Sequence, residues 1–104
     1  TAADTDWHQI VALYDQLAVL SPTPVVALNR AVAVAEVDGP QAALEAIADL
    51  DLDTYHAYHA TRADLLRRLG RTEEAAAAYA VAAELTTNAN ERAFLEGRQA
   101  NLLG

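Results

Sequence analysis

The longest apolar run of the chain is PVVALNRAVAVAEV, residues 24–37. Thr23 and Pro24 are typical of a helix start, because threonine caps the first turn and proline fits the first helical position. The turn sequence DGP follows at 38–40. The polar residues of the run are Asn29, Arg30 and Glu36. The run is longer than an ordinary strand and rich in alanine, so it predicts a central helix that neighbours cover on more than one face.

Apolar residues recur with helical spacing in five further segments of the chain. These predicted helices span residues 6–20, 40–50, 54–69, 72–85 and 88–102. Asp6 and Asn88 begin two of them as capping-box residues. Thr72 is expected to cap the fifth helix, and Gly70 is expected to end the fourth. No segment alternates apolar and polar residues with period two, so the sequence predicts an all-α fold with about six helices.

The predicted helices form pairs that resemble one another. VAVAEVDGPQAALEAI and DLLRRLGRTEEAAAAY both have an apolar helix end, a glycine turn and an alanine-rich second helix. Gly39 and Gly70 lie 31 residues apart, which is near the period of two-helix repeats. The spacing of Ala63, Gly70, Ala75, Tyr79 and Ala82 resembles a tetratricopeptide repeat, and Tyr14 occupies the position of Tyr79 in the first helix. The predicted architecture is a single domain, residues 1–104, in which antiparallel hairpins stack as a short right-handed solenoid.

Charge and composition restrict the classes of function. The net charge of −8 argues against direct binding to nucleic acid or to an anionic membrane. The chain has no cysteine, which excludes disulfides and thiol chemistry and fits a cytoplasmic protein. His56 and His59 are one helical turn apart, but no second ligand pair accompanies them, so no metal is expected. No nucleophile–base arrangement is evident, and neither enzymatic activity nor a cofactor is expected.

Three long segments carry a resemblance that covers nearly the whole chain: DWHQIVALYD, PTPVVALNRAVAVAE and RADLLRRLGRTEEAAAAY. They resemble the C-terminal tetratricopeptide-like extension of a group of bacterial extracytoplasmic-function (ECF) RNA polymerase sigma factors. The resemblance implies that the chain is a fragment of a longer protein that directs transcription initiation. It also implies that this domain regulates initiation through protein contacts. The sigma regions that bind polymerase and promoter are expected upstream and have no counterpart in residues 1–104.

The repeat pattern also predicts a binding surface. In such hairpins the first helix of each pair lines a concave groove, and the phase set by Gly39 puts Asn29, Ala33 and Glu36 on that face. The candidate partner-binding residues are Asn29, Glu36, Asp64, Arg67, Arg68 and Arg98, with Phe94 beside the last. Arg67 and Arg68 are the strongest candidates, because arginine is enriched at binding hot spots.

Two alternatives stay open at this point. The polar residues of the central helix could be structural, with Asn29 capping or linking helices and Arg30 paired with a buried carboxylate such as Asp15 or Asp64. The domain could also be a stand-alone peptide-binding adaptor of the tetratricopeptide type, unrelated to transcription. In the leading interpretation the partner is RNA polymerase, the sigma regions of the same chain, or a regulator.

Overall fold

The computed structural model describes residues 5–104, and this part of the chain contains six α-helices and no strand. The helices are α1 (Trp7–Leu20), α2 (Pro24–Asp38), α3 (Pro40–Ile47), α4 (His56–Arg68), α5 (Thr72–Leu85) and α6 (Ala89–Leu103). The prediction of an all-α protein with about six helices is confirmed. The chain divides into two compact units, Thr1–Asp51 and Leu52–Gly104, which we call the first and the second unit.

In the first unit, α2 is the central helix and packs on both α1 and α3. It begins as predicted, since the Thr23 hydroxyl accepts a hydrogen bond from the Val26 amide at 3.2 Å and Pro24 opens the helix. The buried residues of this unit are Leu28, Ala31, Ala33, Val34 and Ala35 of α2 with Ala43 and Ile47 of α3. Most of them are alanine, which lets the helix axes approach closely and makes helix contact the main source of the core.

Gly39 makes the sharp turn between α2 and α3. Its backbone angles, φ 92° and ψ 165°, belong to a region that is almost restricted to glycine. Its amide donates to Ala35 O at 3.1 Å, and its carbonyl accepts from the Ala43 amide at 3.3 Å. One residue therefore ends α2 and begins α3, and the predicted two-helix boundary at Gly39 is confirmed.

In the second unit, α5 lies between α4 and α6 and packs on both. The buried apolar residues are Tyr58, Ala63, Leu65 and Leu66 of α4, Ala75, Ala76, Ala78, Tyr79, Ala82 and Ala83 of α5, and Leu95 of α6. Ala75 and Tyr79, which belong to the tetratricopeptide-like spacing, are thus both buried. Alanines on two faces of α5 allow two neighbouring helices to approach, and Tyr79 supplies the large side chain that fills the remaining space.

The turn from α4 to α5 is a complete Schellman motif. Gly70 has φ 77°, its amide donates to Arg67 O, and the Arg71 amide donates to Leu66 O, both at 3.0 Å. The prediction that Gly70 ends the fourth helix is therefore confirmed. The prediction that Thr72 caps α5 is wrong, because Thr72 is already the first helical residue and the cap position belongs to Arg71.

The hairpins α1–α2 and α5–α6 have the same dimensions. Each has a 14-residue helix followed by a 15-residue helix. Trp7 corresponds to Thr72 and Pro24 to Ala89, 65 positions later in each case. The caps also correspond, since Thr23 and Asn88 both accept a hydrogen bond from the amide three residues on.

No helix within residues 5–104 is long and apolar enough to cross a membrane.

Candidate protein-interaction surface

One stripe of α2 faces outward although the rest of this helix is largely buried. Its members are Val25, Asn29, Val32 and Glu36, which recur at the spacing of one helix face. Val25 is 40% exposed and Val32 is 46% exposed. Asn29, which lies between them, and Glu36, one turn after Val32, are exposed as well. We call these four residues the α2 stripe. The predicted groove residue Ala33 is not part of it, since Ala33 is buried in the first unit.

Asn29 is the centre of the α2 stripe. No hydrogen bond to its side chain is formed within residues 5–104, so it neither caps nor links helices in the described part of the chain. Its amide keeps two donors and a carbonyl acceptor available to a partner. Glu36 differs from it, because Glu36 already has an interaction within the chain.

Arg30 is adjacent to the α2 stripe and has a structural role. Its Nε donates to Asp15 Oδ1 at 2.6 Å, which joins α2 to α1. The predicted pairing with Asp15 is confirmed, but the Asp15 carboxylate is exposed rather than buried. Exposed ion pairs contribute little to stability, so this pair orients the two helices more than it holds them together.

Asp64 and Arg67 form a pair within α4 of the second unit. Arg67 Nη2 donates to Asp64 Oδ1 at 2.6 Å. The pKa of Arg67 is raised above its already high ordinary value, first by the hydrogen bond to Asp64 and then by the nearby Tyr79 hydroxyl. Arg67 Nε is buried and makes no hydrogen bond. The guanidinium is therefore in contact with the core, and Arg67 has a structural role in addition to any role in binding.

The remaining candidates in the second unit are more accessible. Arg68 is exposed, although it has an interaction within the chain. The Arg98 guanidinium lies 5.2 Å from the centre of the Phe94 ring, and Phe94 is exposed. This cation–π pair presents a flat aromatic ring and a positive charge together on α6, a combination that is enriched at protein interfaces.

The six predicted residues thus fall into two sets. Asn29 and Glu36 share the α2 stripe of the first unit, whereas Asp64, Arg67, Arg68 and Arg98 belong to α4 and α6 of the second. A single groove formed by both sets stays a prediction. Sequence reasoning missed the exposed Val25 and Val32. Their spacing from Asn29 and Glu36 was the available signal, but a helix that is apolar on nearly all sides gives no indication of which side faces outward.

The two histidines of α4, His56 and His59, each contact another residue of the second unit. His59 Nε2 lies 2.7 Å from the Asp53 carbonyl oxygen, and His56 Nδ1 lies 2.6 Å from Glu91 Oε1. The His56 contact has the distance of an ion pair without the angles of a hydrogen bond, so it is a charge contact only when the ring is protonated. Residues 5–104 gather no group of three or more histidine, aspartate and glutamate side chains that could hold a metal ion.

Comparison with known proteins adds one relative. The chain is 48% identical over 93 residues to an uncharacterized protein of Rhizobium meliloti (strain 1021). The match covers 88% of this chain and 22% of the relative, so the chain spans about a fifth of the length of the protein it matches. No family model matches the sequence, and no solved structure matches it.

Proposed function

We propose that this chain is a non-catalytic regulatory domain of an ECF-type RNA polymerase sigma factor, located in the bacterial cytoplasm. It modulates transcription initiation through protein contacts. In this proposal its hairpins stack as a short right-handed solenoid of the tetratricopeptide type. The support is the resemblance of residues 6–15, 22–36 and 62–79 to such extensions, together with the positive-φ glycines at both predicted repeat turns.

The α2 stripe is the observation that carries the proposal. Val25 and Val32 expose apolar surface on the helix that supplies most of the buried residues of the first unit, and between them Asn29 has no partner within the described residues. A polar group that can both donate and accept, placed between two apolar contacts, suits the backbone of a bound protein segment. The apolar contacts supply burial, and the amide fixes the position of the bound segment.

Charge favours a protein over a nucleic acid as the partner. The chain carries a net charge of −8, and a domain of this charge repels the phosphate backbone. The partner is RNA polymerase, the sigma regions of the same chain, or a regulator. The alternative function is a stand-alone peptide-binding adaptor, and the same Asn29 amide is the observation in its favour.

Photocrosslinking in cells distinguishes these functions. A photoreactive residue replaces Val32 in the longest natural protein that contains this domain, and Val81, which is also exposed but lies on α5, is the matched control. We expect adducts with polymerase or with the sigma regions from position 32 and none of these from position 81. Adducts with an unrelated protein alone would favour the adaptor. No adduct from position 32, or the same adducts from both positions, would contradict a role for the α2 stripe.

A further inference from the structure

The outer face of α1 is apolar and uncovered. Leu13 is 54% exposed, Leu17 is 44% exposed and Leu20 is 82% exposed, and they recur at the spacing of one helix face. No residue of α1 is buried, although α1 packs on α2. A contiguous leucine stripe of this kind on a folded helix is typical of an interaction site.

The second unit shows what covers the corresponding face of α5. The half-buried residues of α1 that face α2 include Ile10, Val11, Tyr14 and Ala18. Their counterparts 65 positions later are Ala75, Ala76, Tyr79 and Ala83, all of them buried. In α5 two further positions are buried, Ala78 at 3% exposure and Ala82 at 0%.

The counterparts of Ala78 and Ala82 in α1 are Leu13 and Leu17. The helix α5 packs on α6, as α1 packs on α2, but α5 also packs on α4. The helix α5 therefore has one neighbouring helix more than α1, and it is buried at two positions where α1 is exposed. Leu13 and Leu17 occupy the positions that an α4-like helix would cover.

We propose that α1 is the docking site of a further α-helix of the same polypeptide, which packs on Leu13, Leu17 and Leu20 as α4 packs on α5. Because α4 precedes α5 in the chain, this helix precedes residue 1. The segment shared with the Rhizobium relative covers 22% of that protein, so most of the relative lies outside it.

The side chains of α1 also define the chemistry of the docked helix. Two packed helices lie about 8–10 Å apart, and the side chains at the contact share that space. The second unit has buried alanines at positions 78 and 82 of α5, the helix on which α4 packs. Since α1 has leucines at these positions, the docked helix has small residues opposite Leu13 and Leu17, such as alanine or glycine, and the volumes are complementary.

Hydrogen exchange provides the first test. The amides of residues 7–20 are compared between the 104-residue chain and the longest natural protein that contains it. We expect exchange in α1 to be at least about tenfold slower in the longer protein, because opening α1 there also breaks its contact with the docked helix. The amides of α5, which is covered in both proteins, are the control and should exchange equally. Equal exchange of α1 in both proteins would overturn the proposal, as would a gene that encodes nothing before residue 1.

A double substitution provides the second test. Leu13→Gln with Leu17→Gln should leave the melting temperature of the 104-residue chain nearly unchanged, since both side chains are exposed there, and should lower that of the longer protein by several degrees. Val19→Gln is the matched control, because Val19 is exposed on α1 and corresponds to the exposed Glu84; it should change neither melt. An unchanged melt of the longer double variant would contradict the proposal. Protection of α1 that rises with the concentration of the 104-residue chain would also contradict it, and would assign the face to a second copy. Neither test measures transcription, so a failure of the docking proposal is distinguishable from a failure of the proposed function.

Discussion

Arg92 closes the end of α5 from outside that helix. Its Nε donates to Ala83 O at 3.0 Å and its Nη2 donates to Thr86 O at 2.7 Å. The last carbonyls of a helix have no partner within it, so one guanidinium satisfies two otherwise unpaired acceptors. Thr86 itself is buried, which makes the loss of this cap costly.

Arg92→Ala should therefore reduce the free energy of unfolding by about 1.5–3 kcal/mol, the range for hydrogen bonds that involve a charged group. Urea unfolding followed by circular dichroism measures the change. Arg98→Ala is the control, because Arg98 makes an exposed cation–π contact that is worth less. An Arg92 variant as stable as the control would show that the two hydrogen bonds contribute nothing.

Glu74 lies in the first turn of α5, and its pKa reports the electrostatics of that turn. Its pKa is lowered from the ordinary value of 4.5, mainly by its hydrogen bonds to Arg71 at 2.7 and 2.9 Å. Because the folded-state pKa is depressed, the pair stabilises the fold above the ordinary pKa and loses this contribution as the pH falls through the lowered value. A carboxyl-detected NMR titration should show a lower Glu74 midpoint in the native protein than in Arg71→Ala, because the variant lacks the main group that lowers this pKa. The same midpoint in both proteins would contradict the assignment.

Local contacts between residues could be predicted from the sequence, and distant ones mostly could not. Asp6, Thr23 and Asn88 each accept a hydrogen bond from an amide three residues on, as their capping patterns indicate. The Arg92 cap spans six and nine residues across a turn, and no spacing rule identifies it. The Arg30–Asp15 pair was foreseen only because an arginine in an apolar helix requires a partner.

At the scale of the element, Tyr79 is the main large side chain of α5. It is 3% exposed within the second unit. Tyr79→Ala should cost about 3–5 kcal/mol of unfolding free energy, as for other aromatic truncations in cores. Tyr79→Phe keeps the ring and removes the hydroxyl near Arg67, so it should cost much less. A chemical melt that shows less than about 1 kcal/mol lost in the alanine variant would contradict the importance of this side chain for the core.

Alanine substitution should reduce the free energy of unfolding by different amounts at the two turn glycines, Gly39 and Gly70. A Cβ at either position meets nothing within 4 Å, so any cost of an alanine there comes from the backbone alone. Gly70 is in the left-handed helical region, where alanine costs about 1–2 kcal/mol. Gly39 combines φ 92° with ψ 165°, a conformation that is harder still for a side chain to adopt. Gly39→Ala should therefore destabilise more than Gly70→Ala in paired urea melts, and the reverse order would show that the α2–α3 turn relaxes.

The elements were predicted better than their exposed faces. Capped ends and glycine turns fixed α1, α2 and α6 to within a residue or two, because each boundary has a local cause. The short helix α3 ends at Ile47 rather than Leu50, where no cap or glycine marks the end. On α2 the exposure of Asn29 and Glu36 could be predicted from the repeat phase, but that of Val25 and Val32 could not, because an apolar residue next to Asn29 is compatible with both burial and exposure.

At the scale of the whole molecule, each of the two units contains a hairpin of a 14-residue and a 15-residue helix, and the α2 stripe lies on the hairpin of the first unit. The correspondence of α1–α2 with α5–α6 was hidden in the sequence, since leucines at 13 and 17 stand where α5 has alanines. Tyr14, at the position of Tyr79 in the repeat spacing, indicated it. The single-domain solenoid stays a prediction. The proposed function depends instead on the α2 stripe, which belongs to the first unit.

The central claim is that the α2 stripe acts through protein contacts on transcription. The most direct measurement is a promoter-specific transcription reporter driven by the longest natural protein that contains the domain, with Asn29→Ala and Val32→Asp combined. Val81→Asp is the control, an exposed valine of α5 given the same charge. A thermal melt of the 104-residue chain and an immunoblot confirm that fold and protein level are unchanged.

The stripe variant should lose at least about tenfold in reporter activity, which corresponds to about 1.4 kcal/mol of lost contact energy, while the control should keep full activity. Full activity of the stripe variant at normal protein level would contradict the claim.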